Sequence, residues 1–224
     1  MDLNVSQVIW GIKSMFNSHY ANYYDLFNQD KPHKKEIQFV YKWAERPKWI
    51  FDIGCGTANY WRYYPQKTHI LGVDKSSAMA GNNSRIISAD ITEYKHLGRF
   101  DCATALFDVI NYIPKHDWWK NIPIDSGGYW IFDIWNKEKV DKEGFQETFK
   151  RIGNVSRRIT PLGYDGKEVS LKIEVSCGDQ IFIEEHKMYV YGREDIEKFC
   201  GNEFEIVDLK PTEKWQEWYK LKRK

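Results

Sequence analysis

The sequence predicts an α/β protein, a doubly wound and mostly parallel sheet with an antiparallel β appendage inserted in it. Three observations carry that prediction. Short apolar runs alternate with helical or irregular links between Trp49 and Trp135. Acids, Asp74 and Asp90 among them, close those runs at the end where open α/β sheets hold their ligands. From about Phe145 to Tyr191 the alternation gives way to strand-like segments joined by YDGKE and GDQ, which have the composition of hairpin turns.

The elements follow in order. Residues 5–27 place Val8, Ile9, Ile12, Met15 and Phe16 at near-helical spacing, which predicts one or two short helices ending near Asn28. Lys35 to Arg46 reads as an amphipathic helix stopped by Pro47. Trp49–Ile53 is the first sheet strand, followed by a helix from about Ala58 to Tyr64 that Pro65 ends. His69–Val73 and Arg85–Ser88 are the next strands, with an N-capped helix starting at Ser76 or Ser77 between them. Phe100–Phe107 and Tyr129–Trp135 complete the alternating set, separated by the loop DVINYIP and a short turn at DWWKNIP. After the appendage come a short helix, Arg193–Cys200, and two closing strands, Phe204–Leu209 and Trp215–Leu221. The implied organisation is an N-terminal core over 1–144, the appendage over 145–191, and a closing segment over 192–224 that returns to the core sheet.

The 224 residues suffice for one sizeable domain, or one domain with a small appendage. A formal charge of +1 gives no global reason to expect nucleic acid or an anionic membrane as partner. Ten Trp, fourteen Tyr and twelve Phe make the aromatic content high; many are expected in the core, and a surplus often lines a pocket or interface. The N-terminus lacks the pattern of a signal peptide, and no run approaches the roughly 20 apolar residues of a membrane span. Cys55, Cys102, Cys177 and Cys200 form no C-x-x-C pair and have no histidine at zinc-site spacing, so free thiols in a reducing cytoplasm and no metal are expected.

The stretch WIFDIGCGTANY, Trp49–Tyr60, runs a strand into a glycine turn. A dinucleotide site wants G-x-G-x-x-G there, but the third position is Asn59, and Asp52 would repel a pyrophosphate. S-adenosylmethionine makes different demands. Asp52 can answer its ammonium group, directly or through water, and the Gly54–Gly56 turn lets backbone approach closely. Asp74 can accept from both ribose hydroxyls, and Asp90 from the adenine amino group, with the Ile91 N–H near a ring nitrogen.

The succession D-I-G-C-G-T, G-V-D, A-D-I and F-D-C-A-T-A resembles that of class I S-adenosylmethionine-dependent methyltransferases. One departure is Ala58, where a third glycine is common. Within that class the chain resembles N,N-dimethyltransferases of nucleotide-linked amino sugars, of the desosamine and mycaminose type. YYDLF (Tyr23–Phe27), LFDVINYI (Leu106–Ile113) and IEEHKMYVYGREDIEKF (Ile183–Phe199) carry that resemblance. It implies a Rossmann-like seven-stranded sheet, and it adds Tyr24, Cys55, Lys75 and Leu106 to the cofactor contacts. It also implies Tyr112, Asp133 and His186 as residues that orient the acceptor or relay its proton. Lys214 is a loose stand-in for a diphosphate contact. The implied partner is a small-molecule acceptor such as a nucleotide-linked amino sugar, with no nucleic acid and no membrane, and a homodimer stays open. O-methylation of a hydroxyl is the alternative chemistry, and a cofactor-binding protein without activity is the alternative class. Against a nucleic-acid acceptor stands Leu106-Phe107-Asp108-Val109 where an N-P-P-Y or D-P-P-Y motif is needed.

Overall fold

The computed structural model describes residues 8–10, 15–114, 117–211 and 215–224. It begins with β1 (Val8–Trp10), α1 (Ser18–Asn28), α2 (His33–Trp43) and β2 (Trp49–Ile53). A 3-10 helix (Asn59–Tyr63) then leads to β3 (His69–Asp74), α3 (Ser77–Ala80), β4 (Ile86–Ser88), β5 (Phe100–Ala105) and α4 (Val109–Tyr112). After a second 3-10 helix (Asp117–Asn121) come β6 (Ile124–Trp135), α5 (Lys137–Glu143), β7 (Thr148–Ile152), β8 (Val155–Tyr164), β9 (Glu168–Cys177) and β10 (Gln180–Tyr189). The chain ends with α6 (Arg193–Cys200), β11 (Phe204–Pro211) and β12 (Gln216–Arg223).

Seven strands form the larger sheet, in the order β11-β12-β6-β5-β2-β3-β4. The five strands from β6 to β4 are mutually parallel; β12 pairs antiparallel with β6, and β11 pairs antiparallel with β12 at the edge. Strand alternation divides the side chains between two faces. Phe51, Ile53, Phe132 and Ile134 meet Trp118, Trp119 and Ile196 on one face. Ile50 and Ile131 meet Ile37, Val40 and Trp61 on the other. Burial of each such side chain stabilises the fold by roughly 1.5–3 kcal/mol. Strand β2 lies between β3 and β5, so the chain winds away from it in both directions. A crevice must open at the carboxyl ends beside β2, as it does at any such switch point.

The second sheet has the order β1-β10-β9-β8-β7. Strands β7 to β10 form an antiparallel meander whose turns carry Gly153, Gly166 and Gly178 at φ of 61°, 91° and 57°. Left-handed backbone of this kind favours glycine, which is why GDQ and YDGKE read as turns.

Two expectations fail locally. Val8–Trp10 is a strand and not part of a helix, because it pairs in parallel with the edge of β10, Val8 against Ile181. That partner lies far along the chain, and long-range pairing overrides local periodicity. Residues 5–7, Ile12 and Lys214 lie outside the described residues. The helix expected from Ala58 is a single 3-10 stretch, because Ala58 itself adopts left-handed backbone at φ 57° and Pro65 follows closely. An alanine held there costs about 1–2 kcal/mol, which gives a physical reason for glycine at this position. No helix among the described residues is long and apolar enough to cross a membrane, and all four cysteines are free.

Candidate active site

Strand β2 ends at Gly54-Cys55-Gly56, with Gly54 at φ 64° and Gly56 at φ 54°. The turn folds back over β3: the Gly54 N–H donates to the Val73 carbonyl at 2.8 Å. The Gly56 N–H donates to Asp74 Oδ2 at 2.7 Å, and the Ser76 N–H to Asp74 Oδ1 at 2.8 Å. Asp74 thus joins the glycine turn to the start of α3. Burial pushes its carboxyl above the ordinary range, against the pull of those two N–H groups. One strand further, Asp90 Oδ2 accepts from Lys75 Nζ at 2.7 Å, and Oδ1 accepts from the Thr92 N–H and hydroxyl at 2.9 and 2.8 Å. Burial opposes ionisation of Asp90 too, but these bonds outweigh it and hold the carboxyl below its usual range.

These groups line one cavity of about 840 Å³ at the carboxyl ends of the strands. Tyr24, Gly54, Cys55, Gly56, Asp74, Lys75, Asp90, Ile91 and Leu106 all border it, and so does Tyr112. Phe16 and α1 close the opposite side. Thr57 donates its hydroxyl to Asp25 at 2.8 Å, and Ser76 donates to the Phe16 carbonyl at 2.6 Å. The Phe16 ring lies 5.9 Å from Tyr24 and 5.3 Å from Tyr112, so the cover presents an aromatic wall.

Three candidates are placed elsewhere. Asp52 is 1% exposed and does not reach the cavity. It points to the α2 side of the sheet, where Tyr60 Oη and Trp61 Nε1 donate to Oδ2 at 2.7 and 2.6 Å. Thr104, its register partner on β5, donates to Oδ1 at 2.7 Å. The sequence expectation has Asp52 answer an ammonium group, directly or through water; in this structure both of its carboxylate oxygens are taken up by donors of the fold. Burial raises the Asp52 carboxyl to about 6 despite these donors.

Asp133 is fully buried on β6 and also stands back from the cavity. Its carboxylate accepts from the N–H groups of Phe107 and Asp108 at 2.7 and 3.1 Å, and from Gln216 Nε2 at 3.0 Å. Phe107 and Asp108 are consecutive left-handed residues, at φ 69° and 65°. Asp133 therefore braces a strained turn whose next residues, Val109 and Tyr112, border the cavity, while its own side chain does not border it. Burial, and then the charge of Asp108, pushes its carboxyl well above the usual range, so this acid pair resists full ionisation.

His186 is 1% exposed and reaches the cavity only through Tyr112, whose hydroxyl is 2.9 Å from His186 Nδ1. Its other nitrogen is 2.8 Å from Glu184 Oε2. Sequence reasoning missed Glu184, the braced turn at Asp108, and the Thr57–Asp25 tie. Glu184 did carry a signal: an acid two residues before a histidine on a strand shares its face.

No protein-family model matches the chain, and no curated protein matches it significantly. Solved structures do. A S-adenosylmethionine-dependent methyltransferase from Clostridium acetobutylicum is 24% identical, with a TM-score of 0.75 over 92% of this chain and 97% of that one. CalS10, an amino pentose methyltransferase from Micromonospora echinaspora, is 16% identical, with a TM-score of 0.72 over 96% of this chain and 100% of that one. The sugar N-methyltransferase KedS8 from Streptoalloteichus is 16% identical, with a TM-score of 0.70 over 100% and 99%. The chain has the fold that these methyltransferases share.

Proposed function

We propose that the protein is an S-adenosylmethionine-dependent methyltransferase acting on a small polar acceptor, the amino group of a nucleotide-linked amino sugar or a similar amine. The observation that carries this reading is the single cavity that joins a glycine turn and two strand-end acids to an aromatic wall ending in Tyr112. The residues fit the cofactor. Each Asp74 oxygen accepts one backbone N–H, which leaves lone pairs for a ribose diol. Asp90 and Ile91 border the same cavity one strand further on, where an adenine would lie. Bound there, the cofactor supplies a methyl group on a sulfonium. The aromatic side chains of Phe16, Tyr24 and Tyr112 that line the cavity suit a cation, and the Asp52 carboxyl is withdrawn behind Tyr60 and Trp61. The cover and the braced turn position an acceptor, which is the main requirement of an in-line displacement. The resemblance to amino-sugar enzymes, and the likeness to CalS10 and KedS8, support an amine acceptor.

A hydroxyl acceptor is the second reading. The buried chain Tyr112–His186–Glu184 favours it, because a hydroxyl needs a base and this chain can receive a proton. Both readings are tested by calorimetry with S-adenosylhomocysteine, followed by mass spectrometry of a panel of nucleotide-linked amino sugars and their hydroxyl counterparts incubated with S-adenosylmethionine. Absence of cofactor binding would refute both. Asp74→Ala is expected to weaken S-adenosylhomocysteine binding by about 1–3 kcal/mol through lost charge-assisted hydrogen bonds. Unchanged affinity in the same titration would remove the ribose assignment.

A further inference from the structure

The acceptor wall ends in a buried chain of three side chains, and its innermost member, Glu184, does more there than help receive a proton. Glu184 lies on β10 and is 6% exposed. Its Oε1 accepts the Asn17 N–H at 2.7 Å, and its Oε2 accepts the Phe16 N–H at 2.8 Å. The same Oε2 is 2.8 Å from His186 Nε2. Backbone N–H groups can only donate, so each Glu184 oxygen serves as an acceptor, the role an ionised carboxylate fills. The His186 nitrogen facing it must then carry a hydrogen. In neutral imidazole the other nitrogen, Nδ1, is bare, and it faces the Tyr112 hydroxyl at 2.9 Å. Burial pushes the Tyr112 phenol well above its ordinary range, so it keeps its hydrogen. That hydrogen has an acceptor at Nδ1, and the oxygen lone pairs are left for the cavity.

We propose that Glu184 sets the polarity of the acceptor wall: it fixes His186 as the Nε2–H tautomer, which turns the Tyr112 hydrogen inward and presents the Tyr112 oxygen to the cavity as an acceptor. The wall then selects a bound group that carries an N–H or O–H. It can also take that group's proton. The N–H or O–H bond of the bound group breaks as a new O–H forms on Tyr112; the old Tyr112 O–H breaks as Nδ1–H forms. The result is an imidazolium whose charge Glu184 holds, and the proton returns by the same path once the product has left. The reverse polarity belongs to the imidazolium, which would make Tyr112 a donor. Glu184 and His186 are positioning residues here, since both act through Tyr112.

The same carboxylate orders the cover. Phe16 is left-handed at φ 55°, and its ring packs 4.9 Å from His186 and 5.3 Å from Tyr112. Losing Glu184 therefore releases the Phe16–Asn17 backbone and the tautomer together. The groups facing His186 are consistent with the assignment. On β9 the cross-strand partners are Leu171 opposite His186 and Ile173 opposite Glu184. From α1 comes Tyr20, 6.3 Å from the imidazole, with Arg157 of β8 donating to its hydroxyl at 3.2 Å. From α4 comes Tyr112, whose phenol also feels the Asp108 charge at the head of that helix.

The proposal deepens the methyltransferase reading, yet its test does not need methyl transfer. Protein labelled with nitrogen-15 at histidine would be examined by long-range proton–nitrogen correlation at neutral pH, with His186→Asn used to assign the signal. The expected result is a protonated Nε2 and a bare Nδ1. Tyr112→Phe should keep that tautomer, because Glu184 fixes it. Glu184→Ala should mix the tautomers, since it removes both oxygens that accept from His186 and from the Phe16 and Asn17 N–H groups. It should also lower exchange protection of those two amides by about tenfold or more, the worth of one hydrogen bond. A protonated Nδ1 in the wild type, a flip in Tyr112→Phe, or an unchanged tautomer in Glu184→Ala would each overturn the proposal. Calorimetry with S-adenosylhomocysteine on the same samples keeps the two readings apart. Normal binding with the wrong tautomer refutes only the polarity; absent binding with the right tautomer refutes only the cofactor.

Discussion

Asp52→Ala is expected to cost about 3–5 kcal/mol of folding stability, enough to lower the melting temperature by roughly 10 °C in a chain of this size. The substitution strands three buried donors, from Tyr60, Trp61 and Thr104, each of which now ends on the carboxylate at 2.6–2.7 Å. A buried donor left without a partner costs about 1–3 kcal/mol. Asp52→Asn behaves differently: its carbonyl keeps accepting from Tyr60 and Trp61, and its amide can turn toward the Thr104 oxygen. The pH dependence has a definite sign. Folding raises the Asp52 carboxyl from 3.8 to about 6, so the ionised form is disfavoured in the folded protein. Wild-type stability from this group is full below pH 4 and falls as pH rises through 6, by roughly 3 kcal/mol at the plateau. Relative to wild type, the asparagine variant should gain stability between pH 4 and pH 7 and hold that gain above. Thermal melts of the three proteins across that range check both statements. An alanine variant that melts with the wild type would show that the three contacts carry no weight.

Asp52 also marks where sequence reasoning stops. Its position before the glycine turn was legible, and so was the fold around it, because strand periodicity and strand-end acids follow from backbone geometry. Asp74, Asp90 and the turn fall at the cavity for the same reason: the carboxyl ends of parallel strands share one edge. Side-chain direction is a different matter. Asp52 and Asp133 both lie near that edge, but each faces the sheet side where Ile50 and Ile131 are buried, and that side holds structural partners. Only the register that sets Asp52 opposite Thr104, and the packing that brings the Phe107 turn over Asp133, decide their roles. Glu184 was hidden for a related reason. Its partners Phe16 and Asn17 stand 168 and 167 residues away, and nothing local announces them. The strand at Val8–Trp10 was misread on the same ground, since its spacing suits a helix and only the free edge of β10 makes it a strand.

Gly54→Ala should do comparable damage by a different route, because it attacks the turn and not the strand beneath it. A Cβ at Gly54 would lie 2.5 and 2.6 Å from the two Val109 methyl carbons, and 3.1 Å from Val109 Cβ. The backbone at φ 64° adds about 1–2 kcal/mol for a non-glycine residue. Overpacking against Val109 adds about 1–3 kcal/mol, so the total is roughly 2–5 kcal/mol. Relief requires movement of α4, which follows the strained Phe107–Asp108 turn and carries Tyr112 into the cavity. S-adenosylhomocysteine affinity should therefore fall at least about tenfold alongside stability. The two contributions separate in a double-mutant cycle. Val109→Ala removes the methyl groups in conflict, so Gly54→Ala in that background should recover the overpacking share and retain only the backbone share. Denaturant unfolding of the four proteins gives the coupling energy, expected at about 1–3 kcal/mol. Additivity within about 0.5 kcal/mol would mean that the clash with Val109 is not what makes glycine necessary at this turn, and that left-handed backbone alone is.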